Sequence, residues 1–169
     1  MKKNQEQDLS IQALTARELP EYAEVIRQSF ATVAREFGLT KETCPAHPSL
    51  ISNEALRERF KEDYTPFGLF VDGKLAGFMS LTNKGGGVFV MNNVAVLPEY
   101  RHLGCGKALL EFCKAKVREL GGRKLEIDII EDNTVLKNWY IANDFVNIGT
   151  ERFDHLPFTV GYMEWTVPE

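Results

Sequence analysis

The fold follows from one stretch of the sequence, Val94-Ala95-Val96-Leu97-Pro98-Glu99-Tyr100-Arg101-His102-Leu103-Gly104-Cys105-Gly106-Lys107-Ala108-Leu109-Leu110. It begins as the apolar end of a strand that Pro98 stops, and a helical pattern starts near Gly104. Two glycines at alternate positions in this turn let successive backbone N–H groups converge on one point, where the helix dipole adds positive potential. The stretch therefore predicts a loop that binds phosphate.

Two common phosphate loops do not match this stretch. A Walker loop requires Gly at position 101 and Ser or Thr at position 108, where this chain has Arg101 and Ala108. A dinucleotide-binding fingerprint would place Leu109 where Gly or Ala belongs, although Glu126 follows at a suitable distance. A Walker loop is excluded, and a nucleotide-dependent oxidoreductase is disfavoured but stays open.

Periodicity and turn residues on both sides of the stretch predict the remaining elements. Upstream these are a short strand at Leu9–Ala13, a helix opened by a capping box at Thr15–Glu18 and ended by Gly38, a shorter helix capped by Ser52, a hairpin of Phe67–Val71 and Leu75–Leu81 around Asp72-Gly73, and a strand at Val88–Leu97. Downstream they are a helix at Gly104–Leu120, a strand at Lys124–Ile130, a helix at Thr134–Ala142, and strands near Phe145–Ile148 and Phe158–Val167.

This order predicts an α/β (α+β) fold. The strand–helix–strand unit from Val88 to Ile130 makes its two strands parallel, because the helix carries the chain back to the end of the sheet at which the first strand began. Such crossovers are right-handed. The other strands are predicted to be antiparallel, giving a mixed, mostly antiparallel twisted sheet with a parallel central pair and flanking helices. Ligands of such sheets bind beyond the carboxyl ends of parallel strands, which is where the glycine loop lies.

A second motif follows the last of those strands. Asn133 precedes an amphipathic helix that ends in Tyr140, and four residues later comes Phe145. Together with the Arg-x-x-Gly-x-Gly loop, this motif resembles the GCN5-related N-acetyltransferase (GNAT) superfamily over about residues 67 to 165. The resemblance implies a single domain over residues 1–169 that transfers the acetyl group of acetyl-CoA to an amine.

The resemblance also implies roles for individual residues. Tyr140 would be the catalytic acid, with its hydroxyl facing the thioester sulfur. The acetyl-CoA contacts would come from the backbones of Val94 and Val96 beside a bulge that splays the central strands, from the pyrophosphate loop of Arg101, His102, Leu103, Gly104, Cys105, Gly106 and Lys107, and from Asn133 and Tyr140 along the pantetheine arm.

The general base is not fixed by the sequence. An alkyl amine with a pKa of about 10.4 is neutral in roughly one molecule in 2,500 at pH 7, so a base is expected. Some family members have a glutamate in the central strand, but residues 90–93 of this chain contain no carboxylate. Asp128, Glu131, His47 and a water held by Asn92 or Asn93 all remain candidates, and a non-catalytic acyl-CoA sensor stays an alternative.

Composition limits the partners. The chain has 169 residues, with 20 Lys and Arg against 24 Asp and Glu, so a nucleic-acid partner is not expected. No apolar run reaches the length of a membrane span, which predicts a soluble cytoplasmic protein without a membrane partner. The three cysteines form no Cys-x-x-Cys pair, so neither a disulfide framework nor a metal site is expected. The family resemblance is compatible with a homodimer.

Overall fold

The computed structural model describes residues 6–61 and 64–169. Its strands are β1 (Leu9–Ala13), β2 (Tyr64–Val71), β3 (Lys74–Gly85), β4 (Val88–Val96), β5 (Lys124–Ile130), β6 (Val146–Arg152) and β7 (Thr159–Thr166). Its α-helices are α1 (Leu19–Glu36), α2 (Asn53–Arg59), α3 (Cys105–Glu119) and α4 (Thr134–Ala142). The order of these elements along the chain is the predicted one.

The strands form a single sheet in the order β1-β2-β3-β4-β5-β7-β6. Strands β4 and β5 are parallel, and each of the other neighbouring pairs is antiparallel. The predicted α/β fold with a mostly antiparallel sheet and a parallel central pair is confirmed. The parallel pair lies in the middle of the sheet, with the glycine loop at its carboxyl end.

Helix α1 begins where the sequence predicts and packs on one face of the sheet. The Thr15 side chain and Glu18 form the capping box before it. Leu19, Tyr22 and Ile26 recur at helical spacing and are fully buried. The Tyr22 ring stacks on Phe78 of β3, with ring centroids 5.6 Å apart. This packing, together with Leu56 of α2, covers the β3 and β4 side of that face.

Helix α3 packs on the opposite face. Its Leu109, Cys113 and Val117 are fully buried against alternate residues of the central strands, among them Leu125 and Ile127 of β5. Because side chains alternate along a strand, Glu126 and Asp128 lie on the other face of β5. The two faces of the sheet therefore differ at its centre: one carries α3 and α4, and the other carries carboxylates.

Strands β2 and β6 extend beyond their predicted limits. Strand β2 starts at Tyr64, ahead of Pro66, and it tolerates proline because β1 ends opposite Phe67 and leaves the start of β2 with a neighbour on one side only. Strand β6 continues to Arg152, and every residue in it is exposed. An edge strand with no buried face shows no alternation of apolar and polar residues, so its end was not predictable from the pattern.

Within residues 6–61 and 64–169, none of the helices combines the length and the apolar character needed to cross a membrane.

Candidate active site

The turn between β4 and α3 presents an uninterrupted row of free backbone N–H groups. The N–H groups of residues 102–107 donate no hydrogen bond to any described residue. Those on either side are used: the Arg101 N–H bonds to the Pro98 carbonyl, and the Ala108 N–H bonds to the Gly104 carbonyl at 3.0 Å. The row lies at the N-terminus of a 15-residue helix, where the dipole favours an anion.

The backbone of this turn leaves room for a ligand. His102 and Gly104 have left-handed φ angles of 61° and 83°, which curl successive N–H groups toward a common point. A Cβ added at Gly104 would meet no atom within 4 Å, and one at Gly106 would lie an ordinary 3.8 Å from the Trp139 ring. Packing inside the chain therefore does not require glycine at position 106.

The side chains at the two ends of the predicted loop are engaged elsewhere. The Arg101 guanidinium donates to the Val96 carbonyl at 3.1 Å, the Thr32 hydroxyl at 3.0 Å and the Ser29 carbonyl at 2.8 Å. The Lys107 ammonium donates to the Asn143 side-chain oxygen at 2.6 Å. Residue 101 thus supports the loop through α1, and residue 107 offers its backbone N–H.

A slot opens in the middle of the sheet beside this turn. Strands β4 and β5 pair only where Val88–Val90 lies against Lys124–Glu126. Beyond that point β4 continues along β3 as far as Val96, and β5 continues along β7 as far as Ile130. The facing edges of the two central strands are unpaired over their remaining residues.

A bulge in β4 produces this separation. Asn92 lies opposite Ser80 and Ala95 lies opposite Phe78, so three steps along β4 match two along β3. Asn93, inside the bulge, has a left-handed φ of 52°. An extra residue bends and twists its strand, which turns β4 away from β5.

Val94 and Val96, for which the family resemblance implies backbone contacts to the pantetheine arm, both lie in the part of β4 beyond its pairing with β5. Val94 follows Asn93 within the bulge. The Val96 carbonyl already accepts the bond from Arg101. The structure therefore leaves the backbone of Val94 as the freer of the two.

Tyr140 is held at the end of α4 by a Schellman turn. The Phe145 N–H donates to the Tyr140 carbonyl at 3.1 Å, and the Asp144 N–H donates to the Ile141 carbonyl at 3.1 Å. Asp144 takes the left-handed conformation, with a φ of 70°, at the turn position that is usually glycine in Schellman motifs. The Tyr140 and Phe145 rings pack edge to face with centroids 5.2 Å apart. The spacing of the second motif is thus explained by the turn.

The Tyr140 side chain is 4% exposed, and its hydroxyl bonds to no described residue. Burial raises the pKa of this hydroxyl well above its usual range, and Cys113 and Asp128 raise it further. The hydroxyl is therefore protonated at neutral pH and available to donate a hydrogen bond. At the other end of α4, the Asn133 side-chain oxygen accepts the Leu136 N–H at 3.2 Å and fixes the start of the helix.

The candidate bases differ in their exposure, their hydrogen bonds and the direction of their pKa shifts. The Asp128 carboxylate accepts no hydrogen bond from another described residue, and burial of its surroundings raises its pKa although the side chain reaches solvent. One Glu131 oxygen is paired with the Lys137 ammonium. His47 is 8% exposed, its Nδ1 lies 2.8 Å from the Ser49 hydroxyl, and burial lowers its pKa. Asp128 is the candidate whose charge acts on Tyr140.

The two adjacent amides of β4 differ in their partners. The Asn92 amide donates to the Thr82 hydroxyl at 3.1 Å. The Asn93 amide nitrogen is buried without a partner, and so is the Tyr64 hydroxyl. The sequence singles out Asn93 as a polar residue in a central strand but gives no signal for Tyr64, which lies outside the predicted limits of its strand. No group of three or more His, Cys, Asp or Glu side chains within residues 6–61 and 64–169 could hold a metal ion.

Comparison with known proteins gives one family. A family model described as the acetyltransferase (GNAT) family matches residues 30–145. A relative from Lactobacillus delbrueckii subsp. lactis, an uncharacterised N-acetyltransferase in the pepI 3′ region, is 26% identical over 168 residues that cover 90% of each chain.

Solved structures share the fold. The ribosomal-protein-S18-alanine N-acetyltransferase of Escherichia coli superimposes with a TM-score of 0.77 at 20% identity and covers 96% of each chain. The PaiA N-acetyltransferase of Thermoplasma acidophilum, solved in complex with coenzyme A, gives a TM-score of 0.69 at 23% identity and covers 94% of this chain and 99% of its own.

Proposed function

The chain belongs to the acetyltransferase (GNAT) family, and from this premise we propose that it transfers the acetyl group of acetyl-CoA to a primary amine by direct attack of that amine. The observation that carries the proposal is the slot between β4 and β5, which has free N–H groups at one end and the unbonded Tyr140 hydroxyl close to Asp128. The alternatives of an oxidoreductase and of a non-catalytic sensor gain no support from the family match.

Acetyl-CoA fits the groups that the chain leaves unbonded. The backbone N–H groups of residues 102–107 would hold the diphosphate, and each hydrogen bond to a charged acceptor contributes roughly 1.5–3 kcal/mol. The open edge of β4 at Val94 would hold the pantetheine arm, and the Asn133 amide nitrogen is available to it because only the oxygen caps α4. When bound, acetyl-CoA supplies an activated acetyl thioester.

Tyr140 supports this chemistry as a hydrogen-bond donor. Its raised pKa keeps the hydroxyl protonated at neutral pH, so that a hydrogen-bond donor would be in place to stabilise the negative charge on the departing thiolate sulfur. The ring is held by the turn after α4, so the hydroxyl need not be reoriented during the reaction.

Asp128 is proposed to take the proton from the attacking amine. Its carboxylate is unpaired on the face of β5 opposite α3, and its raised pKa makes it a better base than an ordinary aspartate. Glu131 is less suited to this role because one of its carboxylate oxygens is already paired with the Lys137 ammonium.

Two measurements test the proposed function. Thermal melting with CoA, acetyl-CoA, NADPH and ATP should show stabilisation by the two CoA compounds, by about 2.7 kcal/mol at a hundred times Kd. Release of free CoA from acetyl-CoA should then depend on an added primary amine. Stabilisation by NADPH instead of CoA, or CoA binding with no turnover over a broad amine panel, would contradict the proposal.

The thiols support a proposed cytoplasmic location. Cys44, Cys105 and Cys113 are all buried and unpaired. Burial raises the pKa of each thiol, that of Cys113 to about 12, so none is an activated nucleophile. Unpaired cysteines are typical of a reducing compartment.

A further inference from the structure

Asn143 is a buried polar residue whose hydrogen bonds reach both parts of the proposed active site. It is the first residue after α4 and is 5% exposed. Its N–H donates to the Tyr140 carbonyl at 3.0 Å, and its carbonyl accepts from the Lys114 ammonium at 2.7 Å. Its side-chain nitrogen donates to the Trp139 carbonyl at 2.8 Å, and its side-chain oxygen accepts from the Lys107 ammonium at 2.6 Å. Each polar atom of Asn143 is therefore bonded within the protein.

The side-chain nitrogen of Asn143 completes the last turn of α4. In a continuing α-helix the Trp139 carbonyl would accept the N–H of residue 143. That N–H donates to the Tyr140 carbonyl instead, and the Asn143 side chain supplies the missing donor at the Trp139 carbonyl. The Lys107 ammonium meets the same end of the helix, where a cation is favourable. Asn143 thus fixes the turn that carries Tyr140.

The bond to Lys107 joins this turn to the loop before α3. Lys107 lies in the first turn of α3, and its backbone N–H is the last in the free row of residues 102–107. A second contact spans the same gap, because a Cβ at Gly106 would lie 3.8 Å from the Trp139 ring. That ring packs edge to face on Tyr140 with centroids 5.0 Å apart. The row proposed to hold the diphosphate therefore lies directly against the turn that holds Tyr140.

The stability of the fold does not account for the bond from Lys107. The Lys107 side chain is 59% exposed, and Glu111, its other described partner, lies 3.7 Å away. Pairs of charged groups at exposed sites contribute little to stability. Lys114 already anchors the Asn143 carbonyl from the interior. What the bond from Lys107 adds is a fixed distance between the loop and the end of α4.

A fixed distance between these two parts matters for the proposed reaction. The diphosphate and the sulfur of CoA are joined by one pantetheine arm, so the place where the diphosphate is held limits where the sulfur can lie. The Tyr140 hydroxyl must keep its place relative to that point, because misplacement of a reacting group by about 1 Å can lower the rate by about 10²-fold.

We propose that Asn143 is a positioning residue of the transfer reaction, which holds the Tyr140 turn at a fixed distance from the diphosphate loop through its bond with Lys107. This inference rests on the proposed function, because it concerns how the same site is held together. Asparagine suits the role since it offers both an acceptor for Lys107 and a donor for the Trp139 carbonyl.

Kinetics in two backgrounds test the positioning role. The value of kcat is measured with saturating acetyl-CoA and the best acceptor among phenethylamine, putrescine, alaninamide and lysine. Asn143→Ala should lower kcat by about 10-fold when Tyr140 is present. In a Tyr140→Phe background the same substitution should lower kcat by less than about 2-fold, because no hydroxyl is left to misplace. A purely structural role would lower kcat by the same factor in both backgrounds.

A second variant removes only the connection to the loop. Lys107→Met deletes the donor at an exposed site and leaves Asn143 in place, so the fold is expected to persist. It should lower kcat by about 3- to 10-fold, and again only when Tyr140 is present. Asn143→Asp keeps the oxygen that accepts from Lys107, so it should retain more of kcat than Asn143→Ala does.

Matched controls separate this effect from general destabilisation. Asn147→Ala replaces an exposed asparagine of β6 whose side chain accepts the Gly149 N–H. Lys116→Met replaces a lysine that is bonded to Glu119 toward the other end of α3. Both controls should keep kcat. A CoA titration of each variant gives the concentration of folded sites by which kcat is normalised.

The outcomes distinguish the positioning role from the proposed function. Equal losses of kcat from Asn143→Ala in both backgrounds, or a kcat unchanged by both Asn143→Ala and Lys107→Met, overturn the positioning role and leave acetyl transfer intact. A higher Kd for CoA with kcat retained would limit the two residues to cofactor binding and overturns it as well. Binding of CoA by the unsubstituted chain without acetylation of any of the amines overturns the proposed function and this inference together.

Discussion

At the scale of single residues, binding and chemistry fall to different groups. The diphosphate is expected to rest on backbone N–H groups of residues 102–107, which are used equally before and during the reaction. Tyr140 offers a hydroxyl that bonds to nothing in the described chain until a thiolate forms. Uniform binding lowers KM, whereas an interaction made only in the transition state raises kcat.

Replacement of Tyr140 by Phe should therefore lower kcat by about 10²- to 10⁴-fold, the contribution of a positioned proton donor, and should leave the affinity for CoA nearly unchanged. Steady-state kinetics and a CoA titration check this. Tyr22→Phe, which removes a buried hydroxyl that donates to the Thr15 carbonyl away from the slot, is the control and should keep kcat. A kcat kept by the Tyr140 variant would contradict the proposed proton donor.

Asp128→Asn should change activity and stability in opposite directions. Burial raises the pKa of the Asp128 carboxyl in the folded chain, so the folded state holds the proton more tightly than the unfolded state does. The contribution of this group to stability is then greatest below its unfolded pKa and is lost as pH rises through its folded pKa. At neutral pH the charge destabilises the fold, and the amide should raise Tm.

In the same variant, kcat/KM should fall, and its pH profile should lose the decrease at acidic pH. The reason is that the group that must be deprotonated to accept the amine's proton is gone. A pH series of kcat/KM, run beside melting curves at pH 5 and pH 7, checks both statements. A wild-type acidic limb that persists in Asp128→Asn would assign the base to another group.

At the scale of elements, the turn before α3 works through its backbone, so a charge placed there should act strongly. Gly104→Glu sets a carboxylate against the expected diphosphate site and should abolish CoA binding in a calorimetric titration. Gly73→Glu is matched for charge and backbone strain, since Gly73 also has a left-handed φ, of 79°, and open space around its Cβ. Retained CoA affinity in Gly104→Glu would contradict the loop assignment.

Helix α4 ends on a buried lysine of α3. The Lys114 ammonium is 3% exposed, donates to the Asn143 carbonyl at 2.7 Å and lies 5.0 Å from the centroid of the Trp165 ring. A cation at the carboxyl end of a helix is favourable, and this one fixes the turn that holds Tyr140.

Lys114→Met should cost about 1–3 kcal/mol of unfolding free energy, because the buried carbonyl loses its charged donor. Urea unfolding measures the loss. Lys116→Met removes a lysine whose bond to Glu119 lies at the surface, and it should change stability by less than about 0.5 kcal/mol. Equal stability of both variants would show that the buried ammonium is dispensable for the turn.

At the scale of the whole molecule, Arg101 joins the two halves of the site. Its three bonds connect the start of the loop to the edge of β4 and to the Ser29 and Thr32 turn of α1. Helix α1 packs on the face of the sheet that carries Phe78, while the loop leads into α3 on the other face. The planar guanidinium can serve three acceptors at once, which an ammonium cannot do in the same geometry.

Arg101→Met should therefore raise KM for acetyl-CoA and for the amine together, and Arg101→Lys should restore neither in full. Bisubstrate kinetics provide both constants. Arg35→Met, at an exposed site in the last turn of α1, should change neither. If Arg101→Met raised only the KM for acetyl-CoA, the result would indicate that the Arg101 side chain binds the phosphate directly.

The order of elements was predictable because periodicity, the Asp72-Gly73 turn and the glycine loop are local signals. The same holds for Tyr140, whose distance from Phe145 is fixed by a turn within one helix end. The partners of Arg101 were not predictable, since Ser29 lies 72 positions away and nothing local marks it. Tyr64 was missed because the predicted strand begins at Phe67, whereas β2 begins at Tyr64.

The slot has one more consequence. Because the facing edges of β4 and β5 are unpaired there, no hydrogen-bonded ladder closes the sheet between the face of α3 and the face of α1. In the proposed reaction we expect one reactant to approach from the α3 side and the other from the α1 side, so that neither blocks the other. A ternary complex would then assemble in either order, and each product would leave on the side from which its parent arrived.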